Sequence, residues 1–455
     1  MRLKFTTVLL LFLSFILVNG EITVEAKEHI VNNESDFQHV LDQAKDNDVI
    51  LVEPGTYEGN FTIDRSITVI GKEGAIIKGP NQGDVITVNA DDVTIENLQI
   101  EGSGTQNAGI SLRSNRNIIK NNKLYDTFHG VLVKDGYGNE ITKNLITSFK
   151  ETSNKGFGVY LIKSPHSKVN NNLMYGTNDG IYISFSDLCE IGHNQIKNAR
   201  YGVHTMDSKN VVITQNHISN SRNGLMLMQS YNLQVNKNHL YANTTVDGAG
   251  MFLFDTFNSN ISANVMKMNN KGIYLENAVD NRFEFNLLEG NEKGVEISKD
   301  STGNQINLNN FIGNNQQVIS EEENENEFSF DEYGNFWDDQ QSLNINQDEL
   351  NDYAYKSGDV FYHLITDEPT LQIFTGSPAV RLWNTVEQFV PFPSKQFIID
   401  EHPLNKPASI QVETIETSKK TTTNQIAWKP LILFLGFVLF GLIIMRLARR
   451  KQYAK

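Results

Sequence analysis

Short runs of alternating apolar and polar residues recur through the middle of the chain. Each follows a glycine in most copies: Gly83, Gly109, Gly130, Gly158, Gly180, Gly202, Gly224, Gly250, Gly272 and Gly294, at spacings of 21 to 28 residues. A second marker, Asn then any residue then an aliphatic or Met, recurs at Asn97, Asn122, Asn144, Asn172, Asn194, Asn216, Asn238, Asn264 and Asn286. One unit reads Gly202 to Met206, then Val211 to Ile213, then Asn216 to Ile218, with polar corners between. The period is two, not 3.6, and no run is long enough for a helix. Repeats of this length are the mark of a solenoid. Three short strands per unit predict an all-β, right-handed parallel β-helix of about ten three-stranded coils. A fixed leucine skeleton, which a leucine-rich repeat would demand, is absent.

The flanks read differently. Asp36 to Ala44 carries an amphipathic helical pattern (Phe37, Val40, Leu41, Ala44), and Val49 to Val52 starts a first coil, so residues 21–80 are expected to cap the stack. Residues 81–315 are its repeats and 316–402 a tail segment, in which Ser377 to Val390 reads as an amphipathic helix. At the N-terminus, Arg2 and Lys4 precede an apolar run ending near Gly20, the pattern of a cleaved signal peptide over residues 1–20. Residues 403–425 form a polar linker, 426–446 are apolar enough for one transmembrane helix, and 447–455 are basic, which places them in the cytoplasm. The main domain is therefore expected on the extracytoplasmic side, tethered by a single pass.

Charge and composition narrow the functions. Residues 21–425 hold 31 basic against all 54 acidic residues, a net charge of −23, which excludes nucleic acid as a partner. One Cys, Cys189, excludes an internal disulfide and any multi-cysteine metal cluster. Of 54 Asn, 38 lie between Asn97 and Asn315, in keeping with repeated corners at which an amide bonds to its equivalent one coil away.

With each glycine as zero, positions one and three are aliphatic or small and point inward, so positions two and four face out. Position two reads Leu132, Tyr160, Tyr182, His204, Met226, Phe252, Tyr274, and position four Lys134, Ile162, Ser184, Met206, Met228, Phe254, Glu276. A solvated face would not be aromatic and thioether. Tyr160, Tyr182, Phe252, Phe254 and Tyr274 are thus expected to form a face that meets a partner or ligand. At its centre His204, Met206, Met226 and Met228 mark a rectangle of about 5 by 7 Å. Imidazole with thioether is a soft donor set suited to Cu(I). The plain alternative is packing under a loop or the C-terminal segment. His217 and His239 share an outward position on neighbouring coils and are a lesser candidate for a second metal ion or a general base. Asn344, Asn346, Asp348 and Asp352 have part of a calcium-loop spacing, but Glu349 stands where the glycine belongs.

Several stretches resemble the NosD family, accessory proteins of nitrous oxide reductase maturation: Val203-His204-Thr205-Met206, Leu227-Met228-Gln229-Ser230, Gly334-Asn335-Phe336-Trp337-Asp338, Ser377-Pro378-Ala379-Val380 and Glu401-His402-Pro403-Leu404. The opening Asp48-Val49-Ile50 through Tyr57 matches too, although many β-helix proteins share it. The resemblance implies a non-enzymatic protein that works with an ABC transporter, its NosF and NosY subunits, and helps supply copper or a sulfur species to the multi-copper sites of the reductase. His204, Met206 and Met228 fall on matching positions; Met226 does not clearly match, and the C-terminal anchor departs from the soluble periplasmic members. Two other classes stand beside it. A β-helix polysaccharide lyase or epimerase needs an acid beside Lys, Arg, His or Tyr, and columns two and four contain no Asp. A carbohydrate-binding module would use the stacked aromatics.

Overall fold

The structure is a computed structural model that describes residues 26–32, 36–150, 154–298, 300–320, 325–340, 343–357, 364, 368–374, 377–389 and 398–410. The expected signal peptide, most of the linker and the expected transmembrane helix (426–446) lie outside the described residues. Among the described residues no helix is long and apolar enough to cross a membrane.

Three parallel sheets wrap one apolar core as a right-handed parallel β-solenoid. The first has 13 strands, from Glu28–Val31 to Gln305–Asn307. The second also has 13, from Gly55–Glu58 to Phe336–Trp337. The third has 12, from Phe61–Ile63 to Gln316–Ser320, and carries the outward face of interest. Each strand pairs with its equivalent one turn away; Val203 lies opposite Ile181 on one side and Leu225 on the other. A bridge between Gln305 and Glu327 adds a further rung to the first sheet, giving about 14 turns where the sequence pattern suggested about ten. The difference lies at the ends. Strands built on Ile50, Tyr57 and Phe61, and on Val69 and Ile77, bury the same core ahead of the first Gly marker, Gly83.

Inward positions are fully buried: Ile181, Ile183, Val203, Thr205, Leu225 and Leu227 have no exposed surface, as the alternation demands. Each methylene taken from water stabilises the stack by ~0.8 kcal/mol. The recurring glycine sits where backbones approach. A Cβ on Gly202 would collide with Ile218 and stand 2.5 Å from the carbonyl oxygen of Gly224.

Asparagine forms a hydrogen-bonded ladder and also many of the bends: Asn97, Asn121, Asn171, Asn210, Asn220 and Asn258 take the left-handed position themselves. From Asn122 through Asn144, Asn172, Asn194, Asn216, Asn238, Asn264, Asn286 and Asn309 to Asn335, each side-chain oxygen accepts from the rung before it. The left-handed turn belongs to the preceding residue, which is of any type: Lys143, His193, Gln215, Phe285 (φ 54 to 56°). Shorter ladders run from Asn117 to Asn139 and from Asn243 through Asn269 and Asn291 to Asn314. Buried amides fully partnered in this way are stable, whereas one left unpaired costs about 1–3 kcal/mol.

The ends are closed. Helix α1 (Phe37–Gln43), N-capped by the Asp36 side chain, packs Phe37 on Tyr57 and Phe61. At the other end Trp337 lies between Phe311 and Tyr355 at 4.2 and 4.1 Å, and its Nε1 donates to Asp400 (2.8 Å). Asp400 also accepts from the Asn335 backbone, and burial pushes its carboxyl up to about 6. Gly334 has no room for a side chain because Asp400 occupies that space. The Gly334–Asp338 and Glu401–Leu404 motifs thus build the C-terminal cap, and a second helix, α2, spans Pro378–Phe389.

Candidate metal centre

The register places the two outward columns as the alternation predicts: Tyr160, Tyr182, His204, Met226, Phe252 and Tyr274 are consecutive partners, and so are Ile162, Ser184, Met206, Met228 and Phe254. His204 and Met226 are only 6% and 5% exposed although both face away from the core. His204 stacks on Tyr182 at 4.5 Å, and Tyr182 on Tyr160 at 5.1 Å. Phe157 packs edge-on against both tyrosines. These rings cover one another's faces, which leaves no open platform of the kind a sugar ring stacks on. Burial raises the pKa of Tyr160 and Tyr182.

His204 is held at Nδ1. Its Nδ1 lies 2.9 Å from Oδ2 of Asp179, a fully buried carboxylate that also takes both Nε and an amino group of Arg200 at 2.8 Å each. A carboxylate only accepts, so Nδ1 donates. Hydrogen bonding to Asp179 raises the pKa of Arg200, whose guanidinium also lies over the Tyr201 ring. The other nitrogen, Nε2, stands 3.3 Å from the sulfur of Met228, diagonally across the rectangle. With metal–nitrogen and metal–sulfur bonds of ~2.0 and ~2.3 Å, that separation corresponds to an angle of about 100° at a shared ion. Met206 completes the near corner, its sulfur accepting from the Tyr182 hydroxyl at 3.2 Å. Met226 is turned the other way, its sulfur 3.4 Å from Nδ2 of Asn223.

Asp179 and Arg200 were not singled out from the sequence. Asp179, with His129, Phe157, Tyr201 and Asn223, occupies a third outward column immediately before the glycines. The structure therefore does bring an acid beside Arg, His and Tyr, which a reading of columns two and four alone excluded. Both oxygens of this acid are already taken and it has no exposed surface.

Other candidates are less built. His217 and His239 stack at 4.7 Å and 17°, and Nε2 of His217 is buried without a partner. Burial lowers the pKa of both, with the neighbouring His239 adding to the effect on His217. Parallel rings aim their lone pairs side by side rather than at a common point. Cys189 is fully buried, its thiol pushed up to about 12 by burial. Asp348 and Asp352 accept from the backbone of Leu350 and Ile345, and Asn344 and Asn346 donate to Asp348, an arrangement of turns rather than a calcium cage. Among the described residues no three His, Cys, Asp or Glu side chains come together around a metal position.

A family profile described as "Periplasmic copper-binding protein (NosD)" matches residues 147–342, the stretch that holds all four corners of the rectangle. A protein of Pseudomonas aeruginosa named "Probable ABC transporter binding protein NosD" is 35% identical over 77% of this chain and 86% of its own length. The chain belongs to the NosD family. A NosD of Stutzerimonas stutzeri with the same name is 33% identical over 81% of this chain and 89% of its own. Among solved structures, a Yersinia enterocolitica family 28 exopolygalacturonase covers 67% of this chain and 78% of its own at 10% identity (TM-score 0.53). The Dettilon tailspike protein covers 62% and 63% at 15% identity (TM-score 0.51). These two share the fold alone.

Proposed function

We propose that this NosD protein is an extracytoplasmic, membrane-tethered accessory factor, without turnover of its own, for assembling the multi-copper sites of nitrous oxide reductase. It binds Cu(I) as cargo through His204 Nε2 and the sulfurs of Met228 and Met206, or receives a sulfur species, in concert with an ABC transporter of the NosF and NosY type. The observation that carries this reading is the 3.3 Å approach of His204 Nε2 to Met228 in a site whose other imidazole nitrogen is fixed by a buried carboxylate. Histidine ligands that donate their second nitrogen to a carboxylate are a recurrent feature of metal sites. The family's printed description as copper-binding, and the relatives' names as transporter binding proteins, support the same reading. The anchor rests on the apolar 426–446 segment.

Competition titration with a Cu(I) chelator tests the site: the triple variant His204→Ala, Met206→Ala, Met228→Ala is expected to lose binding that the wild type shows. Equal affinity in the two proteins would overturn the assignment. Copper content of the reductase from a deletion strain tests the role, with copper-depleted enzyme expected.

The cluster of Asp179, Arg200, His204 and Tyr182 favours one second reading, a polysaccharide lyase or epimerase. It predicts an unsaturated or epimerised product from a uronate polymer, and loss of that product in His204→Ala. The saturated, buried Asp179 disfavours it.

A further inference from the structure

The charge pattern behind His204 bears on which ion the site accepts. This inference rests on the reading of His204, Met206 and Met228 as a soft-metal site. Imidazole and two thioethers are neutral donors, so any charge compensation comes from neighbours. The nearest neighbours are Asp179 and Arg200, and they cancel one another: Oδ1 takes Nε of Arg200, while Oδ2 takes its amino group and Nδ1 of His204, all at 2.8 to 2.9 Å. Asp207, which follows Met206 in a left-handed turn and acts on Tyr182, is partly open to solvent, where its field is screened. Tyr182 and Tyr201 face the ring as neutral phenols.

We propose that Asp179 and Arg200 act together as positioning residues that set both the tautomer and the charge selectivity of the site. The carboxylate fixes the proton on Nδ1 and aims the Nε2 lone pair at the methionine sulfurs. The guanidinium, itself 41% exposed, holds the fully buried carboxylate in place from 2.8 Å and offsets much of its charge, so the half-buried site offers little net negative charge to an incoming ion. A monovalent ion then leaves one uncompensated charge and a divalent ion two. Placing charge in such surroundings without a counter-charge is strongly unfavourable, so the site prefers a monovalent soft cation, Cu(I) or Ag(I), over Zn(II) or Co(II) by charge as well as by softness. Removing Asp179 alone spoils the aim. Removing Arg200 alone leaves a carboxylate unopposed and opens the site to divalent ions.

The test uses the full chain. Imidazole 15N NMR of the metal-free protein is expected to show His204 protonated on Nδ1 in the wild type and a mixture of tautomers in Asp179→Asn. Chelator competition with Cu(I) and Ag(I) is expected to give a 10- to 100-fold loss of affinity in Asp179→Asn. In Arg200→Gln the ratio of Cu(I) to Co(II) affinity is expected to narrow by about tenfold or more. If Asp179→Asn keeps the wild-type tautomer and affinity while His204→Ala loses binding, the metal site stands and this inference falls. If His204→Ala binds as the wild type does, both fall. Should Asp179→Asn fail to fold by circular dichroism, Arg200→Gln decides alone, and an unchanged Cu(I) to Co(II) ratio overturns the proposal.

Discussion

Two sets of outward histidines sit on the same rod and teach opposite lessons. His204 on the third sheet and the pair His217 and His239 on the second are all drawn largely out of water, on adjacent rungs of one repeat. His204 is gripped by a carboxylate on one nitrogen and faces a sulfur with the other. His217 and His239 face mainly each other, and the buried Nε2 of His217 meets no donor or acceptor. Column spacing alone made both sets metal candidates. The difference arises one column to the side, where the charged pair Asp179 and Arg200 stands beside His204, whereas the ring of His217 has the Gln215 backbone as its hydrogen-bond partner.

The comparison breaks most visibly in affinity. His204→Ala is expected to weaken Cu(I) binding at least 100-fold by chelator competition, whereas the double variant His217→Ala, His239→Ala is expected to stay within about threefold of wild type. Equal losses would mean that the two sets are alike after all. The next effect is in stability, within a single corner and strand. Asn216→Ala strips partners from the buried Asn194 backbone and side-chain amides, a cost of about 2–5 kcal/mol in chemical denaturation, while His217→Gln one residue on is expected to change stability by less than about 1 kcal/mol.

Acid separates the sets further. With folded-state pKa values below the ordinary histidine value of 6.5, His217 and His239 resist protons that the unfolded chain accepts. Stability contributed by keeping them neutral is present above about pH 6.5 and declines as the pH falls below it. The double variant His217→Phe, His239→Phe should therefore flatten the acid limb of the stability curve, read as thermal midpoint against pH. The smallest expected effect is Tyr182→Phe, which removes the hydroxyl donated to Met206 and should alter Cu(I) affinity by no more than about threefold.

Much of this was legible in the sequence. Alternation fixed which residues of the third sheet face inward, and Val203, Thr205, Leu225 and Leu227 are buried as it requires. The rectangle of His204, Met206, Met226 and Met228 follows from the repeat alone, because parallel in-register rungs turn a sequence offset into a spatial neighbour. Coil number was underestimated because burial, not the Gly and Asn markers, defines a turn, and the strands around Ile50, Tyr57, Phe61 and Val69 fill the core ahead of the first marker. Asp179 was missed for a local reason. The residue before Gly180 bonds the outward His204 although strict alternation from position one would put it inside. Met226 was placed on the right column, but side-chain direction is not in the period: Asn223, three residues earlier, draws its sulfur away from Met228.

One feature of the rod reaches beyond chemistry. A turn such as Gly202 to Gly224 is 22 residues long and advances the axis by ~4.8 Å, and its corner accepts almost any residue in the left-handed position. Whole turns are thus interchangeable units of length. Adding or deleting one between Met228 and the cap formed by Trp337 and Asp400 would shift His204, Met206 and Met228 along the rod by one step relative to that cap while leaving their mutual arrangement untouched. The solenoid is in that sense a ruler, and evolution can set the reach of the site by counting turns.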